Sequence, residues 1–341
     1  MNKVTRFISD VLFDKEINLD LFPRKNNDKF WDQFVKTGSS HYVIPALYYK
    51  LKERGFLNLL NDELVSYLEE IYIQNYNRNT ELVKEVDEIS HLLKSNDIDH
   101  VFLKGAALVS SIYKESIGIR MIGDIDILIS NNQLLKAKAL LKLIGYKSID
   151  NIFKPFLKQK KHIPRLISDK KLFAIELHYT LSNKRTTHEK NFLSSKILPN
   201  KIFVPNNSNL LYHTIINFQK NDHGSLKASF HFRTLFDIIS LISRKPSLIH
   251  HVPNSIHLLK IKFIIKKLNI IDYHIPLYMS FYALRFRLVN SIYFFYFLNK
   301  VLTDLFLVLS VSPIIRIKQI ISLFFRKDYR TYALKKMRII N

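Results

Sequence analysis

Two aspartates one residue apart, Asp124 and Asp126, stand in the stretch Gly123-Asp124-Ile125-Asp126-Ile127-Leu128-Ile129. Side chains of an extended strand alternate between its faces, so the two carboxylates point the same way and Ile125 and Ile127 the other. Like charges held this close at the edge of an apolar strand are costly unless a cation neutralises them. Oxygen donors in that number suit Mg2+ or Mn2+, whose remaining positions go to water and substrate phosphates. A third acid follows the same alternation: in Phe173-Ala174-Ile175-Glu176-Leu177-His178-Tyr179, Glu176 and His178 share one face and Ile175 and Leu177 the other. If that strand lies beside the aspartate strand, Glu176 completes a metal-binding and catalytic cluster with Asp124 and Asp126. His178 is then a candidate substrate contact.

Phosphate-binding groups precede the acids. The short run His100 to Leu103 delivers Lys104-Gly105 to the start of a helix. There glycine permits close backbone approach, the helix N-terminus attracts anions, and the lysine adds a full charge. Arg120, four residues before Asp124, is placed to clamp phosphate or to pair with Asp124. Each feature alone has a duller reading, since an isolated Asp-x-Asp is usually a solvated strand end and a lone Lys-Gly is weaker still. Their order along the chain is what a phosphoryl-transferring metal site requires.

The elements that must position these residues are predicted as strands at His100 to Leu103, Ile125 to Ile129 and Leu172 to Tyr179. Between them lie a helix from Gly105 to Lys114 and another, capped by Asn131 or Asn132, that reaches Ile144 and stops at Gly145. Lys154 to Lys171, basic and holding Pro155 and Pro164, reads as a loop or an irregular edge. Upstream, Asn61 or Asp62 caps a helix running from Glu63 to about Leu93 without Gly or Pro. Downstream, helices are expected at about Asn209 to Lys220 and Phe230 to Ser243, with more to the end. The fold class is therefore α+β: a small mixed sheet flanked by helices, with a helical N-terminal region (1–97), a core (98–205) and a helical C-terminal region (206–341).

Lower-ranked candidates are His162, His213, His223 and His231, which form no compact ligand set. Arg233 and Asp237, spaced i, i+4, read as an intrahelical ion pair. Lys158, Lys160, Lys161 and Arg165 are the densest basic cluster near the site and either meet an anionic acceptor or form a solvated loop.

Composition sets the outer limits. With 341 residues, 47% of them hydrophobic, the chain can fill a substantial core. The absence of cysteine excludes disulfides, thiolate zinc sites and a cysteine nucleophile, and fits a reducing cytoplasm. Charges interrupt the first ten residues, so no cleaved signal is expected. The longest C-terminal apolar runs, Leu288 to Asn299 and Leu305 to Ile315, fall short of the ~20 residues of a membrane span, and no transmembrane helix is expected. The net charge of +23 suits RNA, nucleotides or an anionic membrane, but an AT-rich coding sequence produces the same excess without selection. Local clusters carry more weight: from Lys260 onward 15 basic residues face Asp272, Asp304 and Asp328 alone, interleaved with aromatics such as Tyr293-Phe294-Phe295-Tyr296-Phe297. That segment either lies on an anionic membrane or caps the core.

Phe102-Leu103-Lys104-Gly105-Ala106-Ala107-Leu108, Tyr113, Gly118-Ile119-Arg120 and Gly123 to Ile129 together resemble the signature of the uncharacterised nucleotidyltransferase family of the polymerase-β-like superfamily. Looser likeness covers about residues 25 to 245, including Trp31, Ile175 to Tyr179 and Arg233 to Asp237. The resemblance implies a mixed sheet flanked by helices, metal on Asp124 and Asp126, and a third acid at Glu176. Better-known members of the superfamily carry Gly-Ser where this chain has Lys104-Gly105-Ala106-Ala107, so its grip on a triphosphate must differ. The expected activity is metal-dependent transfer of an NMP group from an NTP to an acceptor left open: a surface glycan precursor, RNA, protein or small molecule. The alternative is a non-catalytic nucleotide-binding or membrane-peripheral protein. Either would act in the cytoplasm or at the inner face of its membrane.

Overall fold

The structure, a computed structural model, describes residues 2–148, 162–181, 188–194, 196–198, 201–309, 317, 321–327 and 330–331. Lys158, Lys160 and Lys161 of the basic cluster, with Arg316, Lys318, Asp328, Lys335, Lys336 and Arg338 of the tail, lie outside them.

Helices α1 (Lys3–Leu12), α2 (Asp28–Ser40) and α3 (Ile44–Glu53) lead into the long α4 (Asp62–Ser95). Asn61 caps α4 by accepting from the Leu64 N–H at 2.7 Å. Leu64, Leu68, Leu82, Val86, Ile89 and Leu93 bury one face of it, as the helical spacing requires. The alternating part follows: β1 (His100–Phe102), α5 (Lys104–Ser111), β2 (Asp124–Ile129), α6 (Leu134–Leu143), β3 (Lys147–Ser148), β4 (Leu166–Ile167) and β5 (Ala174–His178). After α7 (His188–Ser194), β6 (Lys196–Ile197) and β7 (Val204–Pro205) come α8 (Asn207–Ile216), α9 (Gly224–Lys227), α10 (Phe232–Arg244), α11 (Leu248–His251), α12 (Ile256–Lys267), α13 (Ser280–Ser291) and α14 (Tyr293–Leu309).

The five-stranded sheet has the order β1-β2-β5-β4-β3, with β2 and β5 parallel and the other pairs antiparallel. The fold is thus α+β with a small mixed sheet and helical flanks. Ile125, Ile127, Ile175 and Leu177 face a core that runs from Val4 on α1 to Phe286 on α13. On the other face Val101, Leu103 and Leu128 form a smaller cluster beneath Phe192 of α7.

Two local expectations change. Asn131 and Asn132 sit in the turn before α6, whose N-cap is Gln133 without a side-chain cap bond. Gln133 instead ties that turn to the approach to β1, accepting from Asp99 N–H and donating to the Asp97 carbonyl. The stretch expected to be irregular contains β4, which reaches the sheet because Leu166 pairs with Ile175; two residues are too short for periodicity to register. Gly145 does end α6, at φ +95°.

Candidate active site

Parallel pairing of β2 and β5 sets Asp126 opposite Glu176, Asp124 opposite Ala174 and Leu128 opposite His178. Paired residues point to the same face, so Asp124, Asp126, Glu176 and His178 meet on the side away from the main core. Asp126 is 1% exposed, Glu176 and His178 are buried, and Asp124 lies on the rim.

Four cationic or titratable groups surround these acids. The β1–β2 ladder continues one step past Phe102, where Leu103 N–H donates to the Asp126 carbonyl at 2.9 Å, so the next residue, Lys104, emerges over Asp126. Its Nζ donates to Asp126 Oδ1 at 2.6 Å. Lys104 holds φ at +48°, a left-handed conformation costly for a residue with a side chain and often found where function constrains the backbone. Arg165, just before β4, bridges two acids: its Nε is 2.7 Å from Glu176 Oε1 and a terminal nitrogen 2.7 Å from Asp124 Oδ2. His178 Nε2 lies 2.7 Å from Asp126 Oδ1 and 3.6 Å from Glu176 Oε2. His162 Nε2 stands 3.8 Å from Glu176 Oε2, its ring 5.1 Å from that of His178.

Proton affinities follow from this arrangement. Burial raises the pKa of Asp126, but the hydrogen bond from His178 and the charge of Lys104 outweigh it and hold the carboxyl below its ordinary range. Glu176 is also desolvated, yet His178 and Arg165 keep it ionised to well below that range. Asp124 goes the other way, lifted by burial and by the neighbouring Asp126 charge. For His178, burial disfavours the imidazolium and the bonds to Asp126 and Glu176 favour it, with a net rise. Lys104 behaves likewise on Asp126.

Arg120, expected at phosphate or on Asp124, is buried elsewhere. Its Nε and Nη2 lie 2.9 to 3.0 Å from the Asp237 carboxylate on α10, and it donates to the Met121 carbonyl at 2.5 Å. Tyr113 also donates to Asp237, at 3.0 Å. Asp237 is therefore not the ion-pair partner of Arg233, which stacks over the Tyr42 ring instead, its pKa lowered to about 10 mainly by burial. Gly105 is buried for packing: a Cβ there would meet Ile122 Cγ1 at 2.9 Å, and Ile122 sits two residues before Asp124.

Sequence reasoning undervalued Arg165 and His162. The alternation that selected Glu176 and His178 cannot reach a loop residue on another element. It also missed Asn75 and Asn79 of α4. Asn75 donates to the Gly118 carbonyl at 2.6 Å, and Asn79 to those of Ile117 and Arg120 at 2.5 and 2.7 Å. Two asparagines at i, i+4 on an otherwise apolar stripe were the available signal.

Ligand atoms of Asp126, Glu176 and His178 all lie within 4.8 Å of one another, so these three could hold a metal ion. Two carboxylate oxygens suit Mg2+ or Mn2+, and an imidazole nitrogen favours Mn2+ of the two. Asp124, expected among the ligands, stands outside that group with its carboxylate on Arg165, while His178 stands inside it. No curated protein matches the chain. The model of one family matches residues 27–251, a span that begins one residue before α2, ends with α11 and contains every residue of this cluster. By that match the chain belongs to the uncharacterised nucleotidyltransferase family.

Proposed function

We propose that the protein is a metal-dependent nucleotidyltransferase that moves an NMP group from an NTP to an acceptor hydroxyl or phosphate. The observation that supports this most is the parallel register that sets Asp126 against Glu176, with Asp124 two residues away, in a chain of a nucleotidyltransferase family. Asp126, Glu176 and His178 would hold Mg2+ or Mn2+, and Asp124, two residues along the strand from Asp126, would join them once Arg165 leaves its carboxylate. Such an ion supplies charge stabilisation to the oxygens around the α-phosphorus as the pyrophosphate leaves.

The chain's own residues do the rest. Lys104, at the first turn of α5, brings a positive charge and the helix N-terminus to the triphosphate. Arg165 is half-exposed and is the group most easily drawn from Asp124 and Glu176 onto an incoming phosphate. In the reaction a bond forms between the acceptor oxygen and the α-phosphorus, and the bond from that phosphorus to the oxygen bridging to the β-phosphate breaks. The acceptor proton passes to a carboxylate. Glu176 is the proposed base, because losing Arg165 removes one of the charges that keep its proton affinity low. Dependence on NTP fits a cytoplasmic site of action, and the acceptor is a surface glycan precursor, RNA, protein or small molecule.

The test is incubation of purified protein with cell extract, Mg2+ or Mn2+ and each α-32P-labelled NTP in turn. Metal-dependent transfer of label, absent with γ-label and with Asp126→Asn, is the expected result. Metal-dependent NTP binding without transfer from any NTP would leave a nucleotide-binding module in place of an enzyme.

A further inference from the structure

Helix α14, packed beside α13, is built inside out, whereas α13 buries Tyr282, Phe286 and Val289 in the ordinary way. Of the described α14 residues, those turned inward are Phe295, Asn299 and Thr303, spaced i, i+4, i+8, and Thr303 is 3% exposed. Other described residues of the helix carry their bulk outward: Tyr293 is 81% exposed and Phe294 64%, and Phe297, Leu302, Leu305 and Phe306 each more than half. Polar groups tie α14 to its neighbours. Arg285 of α13 donates to Asn299 Oδ1 at 2.5 and 3.1 Å, and Asn299 donates to the Lys227 carbonyl at 2.8 Å. On α13 and just before it, Leu277, Tyr278, Phe281 and Leu284 also face outward, Leu277 at 90%. Further on, Ile317, Ile321, Phe324 and Phe325 are also exposed.

Water selects against this pattern, because a surface helix normally turns its apolar stripe to the core and its polar residues to solvent. Hydrocarbon selects for it, since hydroxyls and amides then find partners between helices and the apolar side chains face lipid. Charge identifies the surface. Arg287 and Lys300 are exposed on the two helices, and the chain from Lys260 onward carries 15 basic residues against three acidic ones. A second copy of a chain with net charge +23 would bring like charges together at this face, whereas an anionic lipid headgroup neutralises them. Tyrosines at 278, 293 and 296 suit the headgroup boundary. No helix among the described residues is long and apolar enough to cross a membrane, so the contact lies in the plane of the surface.

We propose that α13 and α14 form a docking surface for an anionic membrane, with their outward aromatic and aliphatic residues in the headgroup–acyl boundary and Arg287 and Lys300 on the headgroups. This goes beyond the reading of the active site and does not rest on it.

The test is co-sedimentation of the full chain with vesicles of phosphatidylcholine alone or mixed with phosphatidylglycerol, at low and high salt. The expected result is binding to the mixed vesicles, roughly tenfold or more above that to phosphatidylcholine and weakened by salt. Phe294→Ser with Phe297→Ser should lower binding roughly tenfold or more while circular dichroism and melting stay unchanged, because both side chains are exposed without lipid. Arg287→Gln with Lys300→Gln should remove part of the preference for phosphatidylglycerol and leave binding to phosphatidylcholine as it was. Absence of binding to either vesicle, binding indifferent to the phenylalanine changes, or a concentration-dependent dimer that those changes dissolve would each overturn the proposal.

Discussion

Arg165 and Lys104 set two positive charges against the three acids, and these pairs shape what substitution will do. Arg165 competes with a cation for Asp124 and Glu176, so Arg165→Met is expected to tighten Mn2+ binding in the absence of nucleotide. Because Arg165 is 51% exposed, the gain should be modest, roughly three- to tenfold by calorimetry; weaker or unchanged binding would mean the guanidinium does not compete. Asp126→Asn should reduce kcat by several orders of magnitude. It also strands Lys104 and His178, which share Asp126 Oδ1, at a cost of about 1–3 kcal/mol in chemical denaturation with a native circular dichroism spectrum. Relief of carboxylate repulsion alone would have given a stabler variant; the observed partners reverse that expectation. Glu176→Gln should lose comparable kcat with little change in NTP affinity, as a proton acceptor would, and a loss confined to affinity would contradict that role.

At the scale of elements, the loop between α5 and β2 must be rigid for Asp124 to keep its place, and α4 and α5 hold it from two sides. Asn79 satisfies the carbonyls of Ile117 and Arg120 in a region closed to water, so Asn79→Leu should cost about 1–3 kcal/mol for the stranded acceptors. Limited proteolysis should then cut within residues 116–123, and an uncut variant of wild-type stability would show that the loop needs no such tie. Gly105 holds the loop from the opposite direction through Ile122. Gly105→Ala forces a Cβ to within 3.0 Å of the β carbon's two branches on Ile122, atoms too near the backbone to swing away, and should cost about 1–3 kcal/mol. Ile122→Ala in the same chain should recover part of that loss; no recovery would place the strain elsewhere.

Over the whole molecule, α10 ties the helical N-terminal part to the loop before β2 through two interactions: Asp237 takes Arg120, and Phe232 N–H donates to His41 Nδ1 at 3.2 Å. The second requires a neutral imidazole. Burial lowers the His41 pKa from 6.5 to about 4, and burial with the nearby His41 lowers that of His231 to about 3. Because the folded protein binds these protons less readily than the unfolded chain, their contribution is complete above about pH 6.5 and is lost as pH falls toward 4. Denaturant midpoints between pH 7.5 and 4.5 should therefore fall, and fall less steeply in His41→Gln, which can still accept from Phe232 N–H. Equal slopes in the two proteins would rule out His41 as a source of the acid sensitivity.

Strand alternation is a local property of the backbone, and for that reason the facing of Asp124, Asp126, Glu176 and His178 was legible in the sequence. So were the cap at Asn61 and the stop at Gly145, where a single side chain or its absence decides the backbone. The α+β class followed from the same periodicities. Which strand lies next to β2 was decided only by packing, since Ile175 and Leu177 satisfy the core equally well at any neighbouring position of the sheet. Partner choice among charges was likewise tertiary. Arg120 is four residues from Asp124 yet pairs with Asp237, 117 positions away, while Asp124 takes Arg165, 41 away. A long, flexible cation finds whichever carboxylate the fold brings within reach, and sequence spacing carries no information on that distance.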